Sequence, residues 1–270
     1  MTTIKEIPLL FQTEMVQAIL AGRKTQTRRT KGLEDVPLQN FDAIEYMPDH
    51  WGKKPWVFSH KIQSNPDRFE IKAGVKSIYG KPGDLLWVRE TWFNTLRHKS
   101  ALMFEYSPDW IYRAEGSTIG CHSWKPSIHM PKYACRIWLM VEEIRVERLQ
   151  EITEEDAVAE GVEKSTSKGY CRMFSRYENT MFRYYLPEKV EGVSTLVLDA
   201  KGSFESLWKH INGRDSWNAN PWVWVVKFRV LSTTGRPTDD IILQHHKAIT
   251  GAATADLPSS VSGLPSPITP

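Results

Sequence analysis

The sequence predicts an α+β fold built around a small twisted sheet or barrel. Two long segments, 134–149 and 222–230, alternate apolar and polar residues in the way that half-buried strands do. Short helical patterns precede the first of these strands and separate it from the second. Hydrophobic residues make up 41% and charged residues 25% of the 270, a composition typical of a globular protein that buries a real core.

The first predicted element is a helix near the N-terminus. Thr13 is a suitable N-cap, and Gly22 is a suitable terminator. Between them lies an apolar stripe at helical spacing, formed by Met15, Val16, Ile19 and Leu20. The next residues are expected to be extended, with alternate side chains on opposite sides. Lys24, Gln26 and Arg28 then face one way, and Thr25, Thr27 and Arg29 face the other.

Three segments interrupt the regular patterns, at about 30–80, 93–131 and 163–202. They are rich in proline, lysine, aspartate or tryptophan and have little periodicity, which predicts irregular insertions. A turn at 81–84 and a buried strand at 85–90 lie between the first two.

The remaining elements follow the second insertion. The strand 134–149 slips in register at Glu142-Glu143, which predicts a bend or a bulge. Thr153 caps a short acidic helix that ends at Gly161, and Ser203 caps a helix over 204–211. After the strand 222–230 the apolar pattern fades. We therefore predict one domain over 1–231 and a flexible C-terminal tail over 232–270.

Composition excludes several classes of protein. No apolar run approaches the ~20 residues of a membrane span, and the N-terminus lacks a secretory signal, so we expect a cytoplasmic protein. The three cysteines, Cys121, Cys135 and Cys171, lack metal-ligand spacing and are too few for a disulfide scaffold. No metal and no cofactor are predicted, and the oligomeric state is open.

Charge is segregated along the chain, although the net charge is only +3. Residues 15–33 hold five basic residues and no acid, and residues 151–163 hold six acids and no base. The two segments either pair across a site or form two solvated faces. Most of the eleven tryptophans are expected in the core, and some are candidates for stacking on bases.

Four segments resemble the ASCH family in the order in which that family has them. Residues 19–29, ILAGRKTQTRR, resemble its G-x-K-x-x-x-R signature, and 81–88, KPGDLLWV, resemble its K-x-G-D strand. Residues 152–161, ITEEDAVAEG, look like its acidic helix, and 204–230 look like its closing helix and strand. The resemblance implies a PUA-like β-barrel with flanking helices, and binding of RNA or of modified nucleotides.

Two further segments resemble a larger ASCH subgroup that is common in bacteriophage and prophage genomes. These are 87–92, WVRETW, and 124–131, WKPSIHMP. A phage or prophage origin is what this resemblance implies. It also nominates a second group of ligand-binding residues, Arg89, Glu90, Trp92, Ser127 and His129.

One branch of the family is an amidohydrolase that removes the acetyl group from N(4)-acetylcytidine. Its catalytic lysine, threonine and glutamate match Lys24, Thr27 and Glu160. Thr27 is then the nucleophile, and Lys24 is its base if burial or nearby cations lower its pKa. Since a carboxylate would keep the lysine charged, we expect Glu160 to assist the leaving group or orient water rather than pair permanently with Lys24. Arg23, Arg28 and Arg29 are expected to bind substrate or nucleic acid.

Other interpretations of the same residues stay open. Lys24 and Arg29 are also suited to binding phosphate, Trp92 to the core, and His129 to a structural hydrogen bond. A non-catalytic module that binds RNA or modified DNA would show salt-dependent affinity that weakens when Arg28 and Arg29 are neutralised. An ASCH-type ribonuclease would use Lys24, His129 and Glu160 for acid–base chemistry.

Overall fold

A computed structural model describes residues 3–37, 41, 43–46, 56–62, 65–94, 110–116, 123–171, 174–185 and 196–253. The helices are α1 (Thr13–Leu20), α2 (Glu154–Ala159), α3 (Ala200–Asn212) and α4 (Asp239–Ala253). The strands are β1 (Glu6–Leu10), β2 (Gln26–Arg29), β3 (Ala43–Tyr46), β4 (Trp56–Ile62), β5 (Asn65–Val75), β6 (Leu85–Arg89), β7 (Trp92–Asn94), β8 (Trp110–Tyr112), β9 (Trp138–Arg148), β10 (Lys164–Cys171), β11 (Phe174–Arg183), β12 (Leu196–Val197) and β13 (Trp222–Ser232).

A five-stranded mixed sheet forms the centre, in the order β1-β6-β9-β13-β2. The pair β1 and β6 is parallel, and the other neighbours are antiparallel. The predicted α+β class is confirmed. Within the ranges that the structure describes, the strands form no closed barrel. The strand β2, which carries Arg28 and Arg29 of the basic segment, lies at one edge of the sheet and pairs with β13.

Both faces of β13 are buried over its first five residues, which explains the continuous apolar sequence there. Trp222, Trp224, Val226 and Phe228 pack in one core, as their alternation predicts. Val223 and Val225 point to the other face and pack against α2 and α3. The predicted bulge in β9 is confirmed, because Lys227 pairs with Glu143 and Phe228 with Val141, which leaves Glu142 unpaired.

The expectation of irregular insertions is wrong for much of these segments. The first forms the sheet β3-β4-β5, the second the hairpin β7-β8, and the third the sheet β10-β11-β12. Tertiary packing supplies what local periodicity does not indicate. Phe58 of β4 packs edge-on against Trp222 with ring centres 5.6 Å apart, and Trp56 packs against Trp224 at the same distance.

The expected flexible tail from residue 232 is wrong for 239–253, which form α4. Ile242 is buried at 3% exposure among side chains from β6 and β9, and His246 Nδ1 lies 3.0 Å from the carbonyl oxygen of Gly83. Residues 254–270 lie outside the described part. None of the helices described here combines the length and the apolar character needed to span a membrane.

The helix ends agree with the sequence in part. Gly22 follows α1 with a φ of +69°, and Thr153 caps α2 by accepting a hydrogen bond from the Asp156 N–H. Thr13 is the first residue of α1 rather than its cap. Ser203 lies inside α3, and Asp199 caps that helix instead. The Ser203 hydroxyl donates a hydrogen bond to the Arg183 carbonyl oxygen.

Candidate functional site

Backbone hydrogen bonds bring the basic and acidic segments together. After the turn at Gly22, the N–H groups of Arg23 and Lys24 both donate to the Ala18 carbonyl, which holds the chain against the end of α1. The Thr25 N–H then donates to the Ala159 carbonyl at 2.8 Å, and Lys24 forms an isolated antiparallel bridge with Glu160. Of the two alternatives that the sequence left open for the charged segments, the structure thus has the pairing.

The side chains of Lys24 and Glu160 form a buried ion pair. Lys24 Nζ lies 2.7 Å from Glu160 Oε2 and 2.8 Å from the Glu160 carbonyl oxygen, and the side chains are 1% and 3% exposed. Burial lowers the pKa of Lys24 and outweighs the opposing effect of Glu160, while Arg29 and Arg28 lower it further. The expectation that Glu160 does not pair with Lys24 is wrong for this conformation, because the backbone bridge places the two groups in contact.

Arg28 is neutralised by three carboxylates. Its Nη1 donates to Glu160 Oε1 at 3.1 Å, and its Nη2 contacts Asp156 Oδ2 at 2.7 Å and Glu147 Oε2 at 3.0 Å. Arg145 contacts the same Asp156 oxygen at 2.8 Å. The Arg28 side chain is fully buried, and its charge is balanced by these carboxylates. Its expected role in binding substrate or nucleic acid stays a prediction.

Strand register explains this cluster. Arg28 and Arg145 are both Cα partners of Val225 of β13, so the three residues form one row across the strands. The acids come from the adjoining helix α2 and from β9, two residues after Arg145. Three cations, namely Lys24, Arg28 and Arg145, thus meet three carboxylates, namely Glu147, Asp156 and Glu160.

A cleft of about 110 Å³ lies at this edge of the sheet. Lys24, Thr27, Arg28, Arg29 and Glu160 line one side of it, so the three predicted catalytic residues share one cleft. Thr27 is 1% exposed, and within the described residues no hydrogen bond joins its hydroxyl to Lys24 or Glu160.

Side chains of α3 form the opposite wall, and sequence reasoning did not assign them to the site. They are Phe204, Leu207, Trp208 and Ile211. Their spacing is that of one helix face, which was the available signal. The cleft therefore combines charged groups on the β2 side with an aromatic and aliphatic wall.

Two buried donors beside the cleft have no hydrogen-bond partner among the residues that the structure describes. They are Nε of Arg28 and Nε1 of Trp208, and both residues line the cleft. A buried donor without a partner costs free energy, of the order of 1–3 kcal/mol. A ligand with carbonyl oxygens at this position would satisfy them.

The other two predicted arginines differ in environment. Arg23 Nη1 donates to the Gly161 carbonyl at 2.8 Å, and Nη2 lies 3.8 Å from Glu163. Arg29 Nη2 donates to the Leu10 carbonyl at 2.8 Å, and its guanidinium carbon lies 5.2 Å from the centre of the Phe11 ring. Of the two, Arg29 lines the cleft.

Three residues of the second predicted group have structural contacts. Glu90 is 1% exposed, and both of its oxygens accept from Arg136 at 2.9 and 3.0 Å. Burial raises the pKa of Glu90, although Arg136 opposes the shift. Trp92 is 5% exposed in a core cluster, which is the other of the two roles that the sequence left open for it. Arg89 donates to the Ile128 carbonyl and lies over the Trp87 ring.

The last two members of that group separate from each other. Ser127 lines a larger cavity of about 740 Å³ that adjoins the cleft. His129 is exposed and does not line the cleft that holds Lys24 and Glu160. The structure thus does not bring together the three groups that the ribonuclease hypothesis requires.

Metal ligands and reactive thiols are scarce among the described residues. Among the residues with described positions, no group of three or more histidine, cysteine, aspartate or glutamate side chains has a geometry that could hold a metal ion. Burial raises the pKa of the Cys135 thiol to about 12. Cys121 lies outside the described residues.

Comparisons of the chain with models of protein families, with curated proteins and with solved structures find no match.

Proposed function

We propose that this chain is an ASCH-family hydrolase with a PUA-like fold that removes an acyl group from an N(4)-acylated cytidine. The observation that carries the proposal is the shared cleft: Lys24, Thr27 and Glu160 line it together, opposite the aromatic and aliphatic wall from α3. That wall is suited to one face of a pyrimidine ring. The resemblance of the four sequence segments to the family supports the choice of substrate.

The reaction divides between the three side chains. Thr27 Oγ1 bonds to the acyl carbon, and its proton passes to the neutral amine of Lys24. The bond from the acyl carbon to N4 then breaks, and Lys24 returns the proton to the departing amine. Water hydrolyses the threonine ester, which restores the Thr27 hydroxyl and releases the carboxylic acid. Glu160 orients Lys24 and the attacking water.

The surroundings of Lys24 favour the base role. The amine form is required to take a proton, and burial together with Arg29 and Arg28 lowers the pKa of Lys24 from its ordinary value of 10.5. We therefore expect kcat/KM to rise with pH through a value below 10.5. The unpartnered Arg28 Nε and Trp208 Nε1 supply donors for the carbonyl oxygens of the substrate.

A second candidate is a non-catalytic reader of a modified base. The contact of 2.7 Å between Lys24 Nζ and Glu160 Oε2 favours it, because a carboxylate at this distance stabilises the charged lysine, which is not a base. In that case the cleft binds the base and Lys24 acts as a hydrogen-bond donor.

The test is turnover of N(4)-acetylcytidine, followed by HPLC, with matched threonine variants. Thr27→Val removes the hydroxyl with little change in volume and is expected to abolish deacetylation, whereas Thr27→Ser retains part of it. Thr25→Val is the control, since Thr25 is two residues away, is exposed and does not line the cleft. Lys24→Ala is expected to be inactive. Wild-type rates in Thr27→Val would overturn the mechanism.

Binding separates the two candidates. If the wild-type protein shows no turnover but binds N(4)-acetylcytidine in calorimetry, and Lys24→Ala weakens that binding, the reader is the correct function.

A further inference from the structure

A second cavity adjoins the candidate active cleft. It measures about 740 Å³ and shares three wall residues, Met15, Arg29 and Ile211, with the smaller cleft. Arg29 thus lies at the boundary between the two. A pyrimidine bound in the small cleft would carry its sugar toward this larger space.

Two guanidinium groups line the larger cavity, those of Arg29 and Arg113. Most arginines of the described residues are held by carboxylates, as Arg28 is by three of them. Arg29 and Arg113 differ: within the described ranges neither forms an ion pair with an acid. One acid, Glu14, lines the same cavity and is exposed, so the guanidinium charges exceed the carboxylate charge.

Arg29 is also held in a fixed position. Its Nη2 donates to the Leu10 carbonyl, and the guanidinium stacks over Phe11, while no hydrogen bond within the described residues uses Nε or Nη1. A guanidinium fixed in this way loses little conformational freedom when it binds an oxyanion. Arg113 comes from a distant part of the sequence, and its side chain is exposed. It extends the positive region along the wall of the larger cavity.

We infer that the larger cavity binds a phosphate ester through Arg29 and Arg113, so that the substrate is a nucleotide rather than a free nucleoside. This inference rests on the proposed function for the identity of the base. Charge-assisted hydrogen bonds from two guanidiniums to one phosphate account for the preference for a nucleotide over a nucleoside. We expect kcat/KM for N(4)-acetylcytidine 5′-monophosphate to exceed that for N(4)-acetylcytidine on the order of 10- to 100-fold at low salt.

The test compares these two compounds on wild-type protein and on charge variants. In Arg113→Gln and Arg29→Gln the ratio of the two kcat/KM values falls toward one, and in Arg29→Lys it is partly kept. Arg229→Gln removes the same charge from an exposed residue of β13 that pairs with Glu142, away from both cavities, and keeps the wild-type ratio. Added salt lowers the ratio in wild-type protein, since the guanidinium–phosphate attraction is screened.

A short oligoribonucleotide with one internal N(4)-acetylcytidine distinguishes the source of the phosphate. Faster turnover of the oligomer than of the monophosphate, lost in Arg113→Gln, supports the phosphate subsite and assigns it to a polymer backbone. Equal turnover of nucleoside, monophosphate and oligomer overturns the inference and leaves the amidohydrolase standing.

Calorimetry with cytidine 5′-monophosphate and cytidine covers the case in which nothing is hydrolysed. Tighter binding of the monophosphate in wild-type protein, but not in Arg113→Gln, supports the phosphate subsite although the amidohydrolase proposal then fails. Equal affinity for the two compounds overturns the inference independently of catalysis.

Discussion

Replacing Glu160 with glutamine tests the buried ion pair most directly. The variant keeps the shape of the side chain but leaves the ammonium of Lys24 without its carboxylate. Removing one partner of a buried pair costs about 3–5 kcal/mol of unfolding free energy. Two features of the structure place the expected value at the lower end, about 3 kcal/mol at pH 7. The Glu160 carbonyl oxygen still accepts from Nζ at 2.8 Å, and Arg28 keeps two other carboxylates.

The cost is expected to depend on pH, because Lys24 can escape it by losing its proton. The pKa of Lys24 is already lowered by burial in the wild-type chain, and loss of Glu160 removes an interaction that raises it. Between the lower Lys24 pKa of the folded variant and that of the folded wild type, the unfolded chain keeps a proton that the folded variant releases, so the stability of the variant rises with pH. The difference between variant and wild type therefore grows by up to about 1.4 kcal/mol per pH unit as the pH falls.

The assay is urea unfolding followed by tryptophan fluorescence between pH 6 and pH 10. Glu163→Gln is the matched control, because Glu163 lies three residues away and its side chain is 45% exposed. It is expected to cost less than about 1 kcal/mol at every pH. A loss in Glu160→Gln that is the same at all pH values would refute the reasoning, since it would mean that the protonation state of Lys24 in the folded chain does not depend on Glu160.

Three further outcomes are expected. Gly161→Ala lowers stability by more than Gly213→Ala, although both glycines have a φ above +90°. The new methyl group at 161 meets the β-carbon of Lys24 at 2.8 Å, whereas no atom of the described residues lies within 4 Å of the one at 213. Denaturation midpoints compare the two variants, and equal losses of stability would contradict the contact. Burial alone raises the pKa of Asp156, but Arg28 and its neighbours bring it below 3.8. The stabilising effect of the Asp156 carboxylate is therefore full above pH 3.8 and disappears as the pH falls through the lowered pKa. Acid titration should narrow the difference in unfolding free energy between wild type and Asp156→Asn. A difference that stays constant would exclude this effect. Cys135, with a thiol pKa of about 12 and a buried side chain, should be alkylated in the native protein far more slowly than in the denatured one, as peptide mass spectrometry can measure; equal rates would mean that the site opens freely.

Local signals in the sequence were sufficient for the central elements. The glycine at Gly22 and the cap at Thr153 depend on the chain within a few residues, and both predictions are confirmed. The common face of Trp222 and Phe228 follows from strand periodicity alone, and the structure confirms it. The bulge at Glu142 shows as a break in the same periodicity.

Other features depend on contacts that sequence position does not show. The helix α4 was missed because Ile242 is buried only through contact with β6 and β9. The neutralisation of Arg28 is not evident from the sequence, because Glu147 lies 119 residues away and meets it only through the register of β2, β13 and β9. Thr27 is in the cleft as expected, but the wall opposite it comes from α3.

The position of β2 has a consequence for the order in which the molecule assembles during synthesis. Within the central sheet, β2 pairs with β13, whose residues emerge from the ribosome almost 200 positions later. At about 5–20 residues per second, the basic segment waits roughly 10–40 s for that partner. Until then β2 has no strand partner in the central sheet, and Arg28 is not aligned with Arg145. The cleft is therefore among the last parts of the fold to form, and a nascent chain that ends before β13 carries these residues without the site.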